Sequence, residues 1–229
     1  MKTDDLIAML STNTEAVDRK LVIRTVWIAV VAGILVAVGS ALVGLGLRTD
    51  LSADRALIFL ITKLAFAIVI VGVAAIYLTK LTRPGGELRT PSILAAIPFV
   101  VIALLAGISL GAAPSSHWDA MIAGDAWLEC LLSIPIIAIA PFTITIWVVR
   151  QAAPTDLVRA GAFAGLIAGG ISAMAYAHHC MDDSLLFVAV WYGGTIVLCT
   201  LPAQHWDRGY CVGKGPCRAA SRRREPVTA

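Results

Sequence analysis

Six stretches of mostly apolar residues, each close to the length of a membrane-spanning helix, follow one another along this chain. A spanning α-helix needs about 20 such residues, because the hydrocarbon core of a bilayer is about 30 Å thick. Only 14% of the residues are charged, whereas soluble domains carry about 25%. The sequence therefore predicts an all-α integral membrane bundle of six transmembrane helices. The apolar segments cover about 21–47, 56–81, 92–111, 126–149, 157–177 and 185–201.

Lysine and arginine residues are distributed unevenly among the connections between these segments. With the N-terminus inside, 15 of the 18 basic residues fall on the inner side, only Arg48 and Arg55 fall outside, and Lys63 lies within the second span. Because cytoplasmic loops carry an excess of Lys and Arg, we expect a multi-pass protein of the bacterial inner membrane with both termini in the cytoplasm. Connections 112–126 and 178–183, which contain no Lys or Arg, would then face the periplasm.

The segment before the first span reads MKTDDLIAMLSTNTEAVDRK. Thr3 is a good helix cap, and Asp4 and Asp5 suit the first turn of a helix. A short amphipathic helix of this kind is marginal in water, so it is either frayed, bound to lipid or held by a partner; the acidic residues favour a protein partner over a membrane surface. The chain thus divides into a cytoplasmic segment 1–20, a transmembrane domain 21–202 and a basic cytoplasmic tail 203–229.

Two cysteines are expected at the same outer face of the membrane. Cys130 lies about one turn inside the fourth segment, and Cys180 lies in the outer connection AYAHHCMDDS. They could be inert buried thiols, a disulfide formed in an oxidising compartment, or thiolate ligands of a soft metal ion. The nearby candidate metal ligands, or partners of such ligands, are His178, His179, Asp182 and Asp183. Cys199, near the inner end of the sixth segment, is expected to be inert.

Lys63 is the one basic residue well inside a span. An ammonium group at the centre of a spanning helix costs roughly 2.5–3.5 kcal/mol, so a counter-charge is expected. Glu129 lies at a similar depth on the fourth segment, and we predict an intramembrane ion pair between Lys63 and Glu129; a role of Lys63 in transport is the alternative. The fifth segment carries small residues at intervals of four, which predicts close helix packing. These residues are Gly161, Gly165, Gly169 and Ala173.

Four stretches of the sequence are distinctive in combination. They are the start MKTDDLIAML, the runs KLAFAIVIVGVAAIYLTKLTRPG and HCMDDSLLFVAVWY, and the stretch CLLSIPIIAIAPF, which begins at Cys130. Together they are similar to the NrsF family of six-span membrane anti-sigma factors, which restrain extracytoplasmic-function sigma factors in proteobacteria. The resemblance covers residues 1 to about 200 and agrees with the topology expected from hydropathy and charge.

The resemblance implies a regulator and not an enzyme, and the sequence contains no phosphate-binding glycine loop or catalytic triad. It implies that the N-terminal segment binds the sigma factor, and that Cys130 and Cys180 sense heavy metals or oxidants. No constitutive cofactor or direct nucleic-acid contact is expected, although a heavy-metal ion could bind transiently at the two cysteines. The alternative is a small six-span transporter or metal permease. The expected sigma-binding residues are Asp4, Asp5, Leu6, Ile7 and Leu10.

Overall fold

The described part of the chain is helical throughout. The computed structural model describes residues 19–49, 54–81, 92–151 and 156–201, and these residues contain no β-strand. The helices are α1 (Arg19–Gly44), α2 (Asp54–Leu81), α3 (Ile97–Ala112), α4 (Trp118–Ala123), α5 (Trp127–Gln151), α6 (Leu157–Ala177) and α7 (Leu185–Leu198). Short 3₁₀ helices, Ser92–Ala96 and Ser115–His117, precede α3 and α4. The predicted all-α class is confirmed.

Five helices in the described part of the chain are long and apolar enough to cross a bilayer. The sixth apolar helix, α7, is shorter, and a π-helical stretch, Val188–Tyr192, interrupts it. The sixth crossing and the cytoplasmic position of both termini therefore stay predictions. Large apolar side chains such as Leu104, Ile136 and Trp147 are more than 60% exposed, as expected for helices whose outer surface is solvated by lipid. The long apolar stretches are Ile23–Gly44, Asp54–Leu81, Ile93–Ala112, Ser115–Arg150 and Leu157–Ala177.

Helix α6 lies at the centre of the bundle, where it contacts α1, α2, α5 and α7. It is the most buried of the five long helices, and the four small residues predicted to form a packing ridge are all buried. A Cβ atom on Gly165 would lie 2.7 Å from the carbonyl oxygen of Cys199, and one on Gly169 would lie 3.1 Å from the Cα atom of Ile196. Small residues therefore allow α6 and α7 to meet backbone to backbone.

Helices α2 and α5 also pack closely against their neighbours. The ring of Tyr77 on α2 stacks on Phe163 of α6, with the ring centres 5.1 Å apart. Helix α5 continues through two internal prolines. Gly33 of α1 packs against one of them: a Cβ atom on Gly33 would lie 3.1 Å from the Cβ atom of Pro141, so a larger residue there would be crowded. The bundle thereby fixes the ends of α2, α5 and α6 near the 178–184 loop, which connects α6 to α7.

Two predicted regions lie outside the described residues. They are the N-terminal segment with Asp4, Asp5, Leu6, Ile7 and Leu10, and the tail 203–229.

Candidate functional site at the 178–184 loop

Arg48, on the connection after α1, binds the 178–184 loop through both its backbone and its side chain. Its backbone amide donates a hydrogen bond to the carbonyl of His178 at 3.0 Å. Its guanidinium donates to both carboxylate oxygens of Asp183, at 3.1 and 3.3 Å, and to the carbonyl of Cys180 at 3.1 Å. Two parallel N–H···O bonds of this type fix orientation as well as distance. Arg48 is only 2% exposed, so an arginine that the sequence assigned simply to an outer connection is a buried structural residue.

Lys63 of α2 contacts the same loop from the other side. Its Nζ atom donates to the carbonyl of Cys180 at 3.1 Å and lies 3.6 Å from the Cys180 sulfur. The same atom lies 3.6 Å from a carboxylate oxygen of Asp183 and 5.8 Å from the centre of the Tyr192 ring. The side chain is completely buried. These contacts offset the cost of placing an ammonium group within a spanning helix.

The predicted ion pair between Lys63 and Glu129 is wrong. Lys63 pairs with Asp183, while a carboxylate oxygen of Glu129 lies 3.1 Å from Nε2 of His179. The reason is the path of the loop, which turns Asp183 towards α2 and places His179 next to the first turn of α5. Glu129 is 45% exposed, so its carboxylate stays largely solvated and does not serve as the counter-charge of a buried ammonium.

Asp182 joins the loop to the start of α5. Its two carboxylate oxygens accept hydrogen bonds from the backbone amides of Asp125 at 3.2 Å and Ala126 at 2.9 Å. Next to it, the hydroxyl of Ser184 donates to the carbonyl of Met121 on α4 at 2.9 Å. The loop therefore bonds to α2, to α4 and to residues next to α1 and α5, and its conformation depends on how those segments are arranged.

The two candidate sensing thiols are both buried. Cys130 is 0% exposed and Cys180 is 1% exposed, and neither forms a disulfide with another cysteine that the structure describes. They belong to one apolar cluster that also contains Phe187 and the two tyrosines Tyr176 and Tyr192. A reagent from outside can reach these sulfur atoms only if the loop or the helix ends move.

The arrangement does not form a ready metal site. Within ranges 19–49, 54–81, 92–151 and 156–201, no three His, Cys, Asp or Glu side chains converge in a way that could hold a metal ion. Nδ1 of His178 donates to the carbonyl of Met174 at 2.9 Å, and the three other candidate ligands have the partners described above. The described side chains around the two thiols are therefore engaged in structural contacts and are not arranged as a preformed set of metal ligands.

Two tyrosines near the thiols were missed by sequence reasoning. Tyr176 and Tyr192 are fully buried, their ring centres are 6.0 Å apart, and their hydroxyl groups have no hydrogen-bond partner among the residues that the structure describes. Buried hydroxyls without a partner are uncommon and costly. No signal in the sequence separates these tyrosines from ordinary core aromatic residues.

Comparison with known proteins assigns a family to this arrangement. The family model described as "Negative regulator of sigma F", NrsF, matches residues 10–206. The chain belongs to the NrsF family. The match includes all the described helices and the loop that holds Cys180, so the site described above lies within the part of the chain that defines membership.

Two curated relatives within the NrsF family match the chain. It is 28% identical to a protein named "Probable anti-sigma-F factor NrsF" from Azospira oryzae over 195 residues, which cover 84% of this chain and 90% of the relative. It is 32% identical to the "Anti-sigma-F factor NrsF" of Caulobacter vibrioides over 115 residues, which cover 49% of this chain and 53% of the relative. No solved structure matches the chain.

Proposed function

We propose that this protein is a membrane-embedded anti-sigma factor. In this proposal it holds an extracytoplasmic-function sigma factor at the cytoplasmic face of the bacterial inner membrane and releases it when the state of Cys130 and Cys180 changes. The observation that carries the proposal is the match of residues 10–206 to a family of negative regulators of sigma F. It is supported by relatives whose names describe them as anti-sigma-F factors.

The proposed topology has six spans and both termini in the cytoplasm. Five long apolar helices support the first part, and the concentration of Lys and Arg in alternate connections supports the second. The 178–184 loop would then face the periplasm, where a stress signal would reach it. The N-terminal segment 1–20 would face the cytoplasm, where the sigma factor and RNA polymerase are.

The proposed signal is metal ligation or oxidation at Cys130 and Cys180. Both sulfur atoms are buried in one cluster at the loop end of the bundle, so a change at either one must alter packing where α2, α5, α6 and α7 meet. To shift the resting state from about 1:99 to 99:1, an inducer must favour the releasing state by about 5.5 kcal/mol. The protein acts as a regulator and not as an enzyme.

Deletion of residues 3–12 tests the inner half of the proposal. We expect the shortened chain to insert into the membrane at the level of the full chain but to lose co-purification with its sigma factor. A control in which Asn13 and Thr14, the two residues after the deleted segment, are replaced by alanine should retain the sigma factor. Full retention by the deletion variant would refute the assignment of residues 4–10 to sigma binding.

Single replacement of each thiol tests the outer half. Cys130→Ser and Cys180→Ser should each abolish release of the sigma factor in cells exposed to cadmium or to a thiol oxidant. Cys199→Ser is the matched control, because Cys199 is also a free, buried thiol but packs in a different cluster with Ala138 and Ala168. A normal response of both test variants would refute thiol sensing. Uptake or efflux of metal by reconstituted vesicles would favour the transporter alternative.

A further inference from the structure

Lys63 is a costly residue at its position, because its ammonium group is buried within a long apolar helix. It is completely buried in a helix long enough to span the bilayer, and buried ion pairs can often be replaced by apolar residues without loss of stability. Stability alone therefore does not explain why an ammonium group is present at this depth. The contacts of Lys63 indicate a more specific role, because its shortest polar contact is with the carbonyl of Cys180 and its Nζ atom lies as close to the Cys180 sulfur as to the Asp183 carboxylate.

The Nζ atom of Lys63 lies between two groups of the loop. On one side are the carbonyl and sulfur of Cys180, and on the other is the carboxylate of Asp183. A neutral thiol is only a weak hydrogen-bond acceptor, so the contact with sulfur at 3.6 Å contributes little in the resting state. Any group added to that sulfur must enter the space next to the ammonium, and any negative charge formed there would attract the ammonium through a charge-assisted hydrogen bond.

Helix α2 would carry a displacement of Lys63 along its length. Below Lys63, the buried face of α2 packs tightly against α6: a Cβ atom on Gly170 would lie 2.6 Å from a methyl group of Val71. Further along the same interface, Tyr77 stacks on Phe163. Because packed helices move as units with discrete arrangements, a shift at Lys63 would be transmitted towards the opposite end of α2.

We propose that Lys63 is the positioning residue that couples the chemical state of Cys180 to helix α2. This inference rests on the proposed function, since it requires that a change at Cys180 alters sigma-factor binding. It assigns no ligand role to Lys63: the residue holds the loop through Cys180 and Asp183, and it moves when the Cys180 sulfur acquires a substituent.

The experiment uses the full chain, with Cys130 retained, in bacterial membranes. A membrane-impermeant maleimide is added from the outer side. The Cys180 sulfur forms a bond to one carbon of the maleimide double bond, and the thiol proton is transferred to the other carbon. Peptide mass spectrometry gives the fraction of Cys180 modified, and co-purification gives the amount of sigma factor retained. Each variant is compared at the same fraction of modified Cys180.

The matched control is Lys80→Met. Lys80 is the other lysine of the described α2, and its Nζ atom also lies 5.8 Å from a tyrosine ring centre, that of Tyr77. We expect modification of Cys180 to lower sigma-factor retention at least about fivefold in the parent and in Lys80→Met. In Lys63→Met, modification should lower sigma-factor retention less than about twofold. In Lys63→Arg the larger decrease should return, because arginine keeps the charge and the donor groups.

The possible results separate this inference from the proposed function. An equal response in the parent and in Lys63→Met overturns the inference alone. A parent whose sigma-factor retention is unaffected by modified Cys180 overturns both the inference and thiol sensing at Cys180. Should Lys63→Met fail to insert, Lys63→Gln, which removes the charge but keeps a polar side chain of similar reach, takes its place with the same two outcomes.

Discussion

The carboxylate of Asp182 accepts a hydrogen bond from the backbone amide of Ala126 at 2.9 Å, although 56 residues separate the two in the sequence. The amide of Asp125 donates to the other oxygen of the same carboxylate. The loop that contains Cys180 is therefore bonded to the start of α5, the helix that contains Cys130. A rearrangement at either cysteine must be accommodated by the segment that carries the other.

Replacement of Asp182 with alanine should weaken this connection. Two backbone amides lose their acceptor, and because they are partly solvated we expect the free energy of unfolding to fall by about 1 kcal/mol. Thermal unfolding of the purified protein in detergent measures the change as a decrease of a few degrees in Tm. Asp119→Ala is the control, since Asp119 is an exposed acidic residue on the neighbouring helix α4. Equal effects of the two variants would contradict this role of Asp182.

Replacement of Gly165 with alanine should separate α6 from α7. A Cβ atom there would lie 2.7 Å from backbone atoms of Cys199 and Thr200, and because backbone cannot rotate away, the helices must shift. We expect a loss of about 1–3 kcal/mol in the free energy of unfolding, read as a lower Tm and a smaller yield of monodisperse protein.

The control for this prediction is Gly72→Ala on α2, where a new Cβ atom meets nothing within 4 Å. Alanine favours the helix over glycine by about 1 kcal/mol, so this variant should be as stable as the parent or more so. If Gly165→Ala behaves like Gly72→Ala, the close approach of α6 and α7 is not part of the native packing.

Hydropathy predicted the helices well because lipid imposes a simple requirement. Each of the first five segments corresponds to a long apolar helix, since backbone groups in a bilayer must be satisfied within the helix. The sixth segment, 185–201, was the shortest one predicted, and α7 is correspondingly shorter than the other apolar helices; its interruption was not predicted. Its π-helical stretch depends on local packing around Tyr192 and Phe187, and apolar composition does not distinguish a π-helical turn from an α-helical one.

The site was predicted less completely, because its contacts depend on the path of one loop. The sequence placed Cys130 and Cys180 at the same end of the bundle, where both are buried in one cluster. Glu129 was predicted as the partner of Lys63 because the two residues lie at similar depths along their helices. Depth gives no information about the direction of a side chain, and the loop turns Asp183 towards Lys63 while Arg48 approaches from α1.

Replacement of Tyr192 with phenylalanine should not destabilise the protein. The hydroxyl is buried without a hydrogen-bond partner in the described part of the chain, so its removal relieves an unpaired polar group and should stabilise the fold by up to about 1 kcal/mol. The ring next to Lys63 is kept. Chemical denaturation in mixed micelles measures the difference.

Tyr192→Leu provides the contrast, because it removes both the hydroxyl and the ring whose centre lies 5.8 Å from the Lys63 nitrogen. This variant should lose about 1–3 kcal/mol. A loss as large in Tyr192→Phe as in Tyr192→Leu would mean that the hydroxyl has a partner, such as a buried water molecule, and that the cluster is polar at its centre.

Labelling from one side of the membrane tests the proposed topology. In a chain whose native cysteines are all replaced, single cysteines are introduced as Ser116→Cys, between α3 and α4, and Val158→Cys, at the start of α6; both positions are exposed. An impermeant maleimide added to spheroplasts should label position 116 but not position 158 until the membrane is permeabilised, because α5 crosses the bilayer between them and Arg150 and Arg159 favour the cytoplasmic side.

The result also locates the candidate sensing loop. Asp182 is bonded to Asp125 and Ala126, on the same connection as Ser116, so Cys180 must lie on the side from which position 116 is labelled. Labelling of position 158 in intact spheroplasts would place that loop in the cytoplasm, where thiols are kept reduced. It would also place the N-terminal segment, which the six-span topology puts on the same side as position 158, outside the cytoplasm and away from the sigma factor.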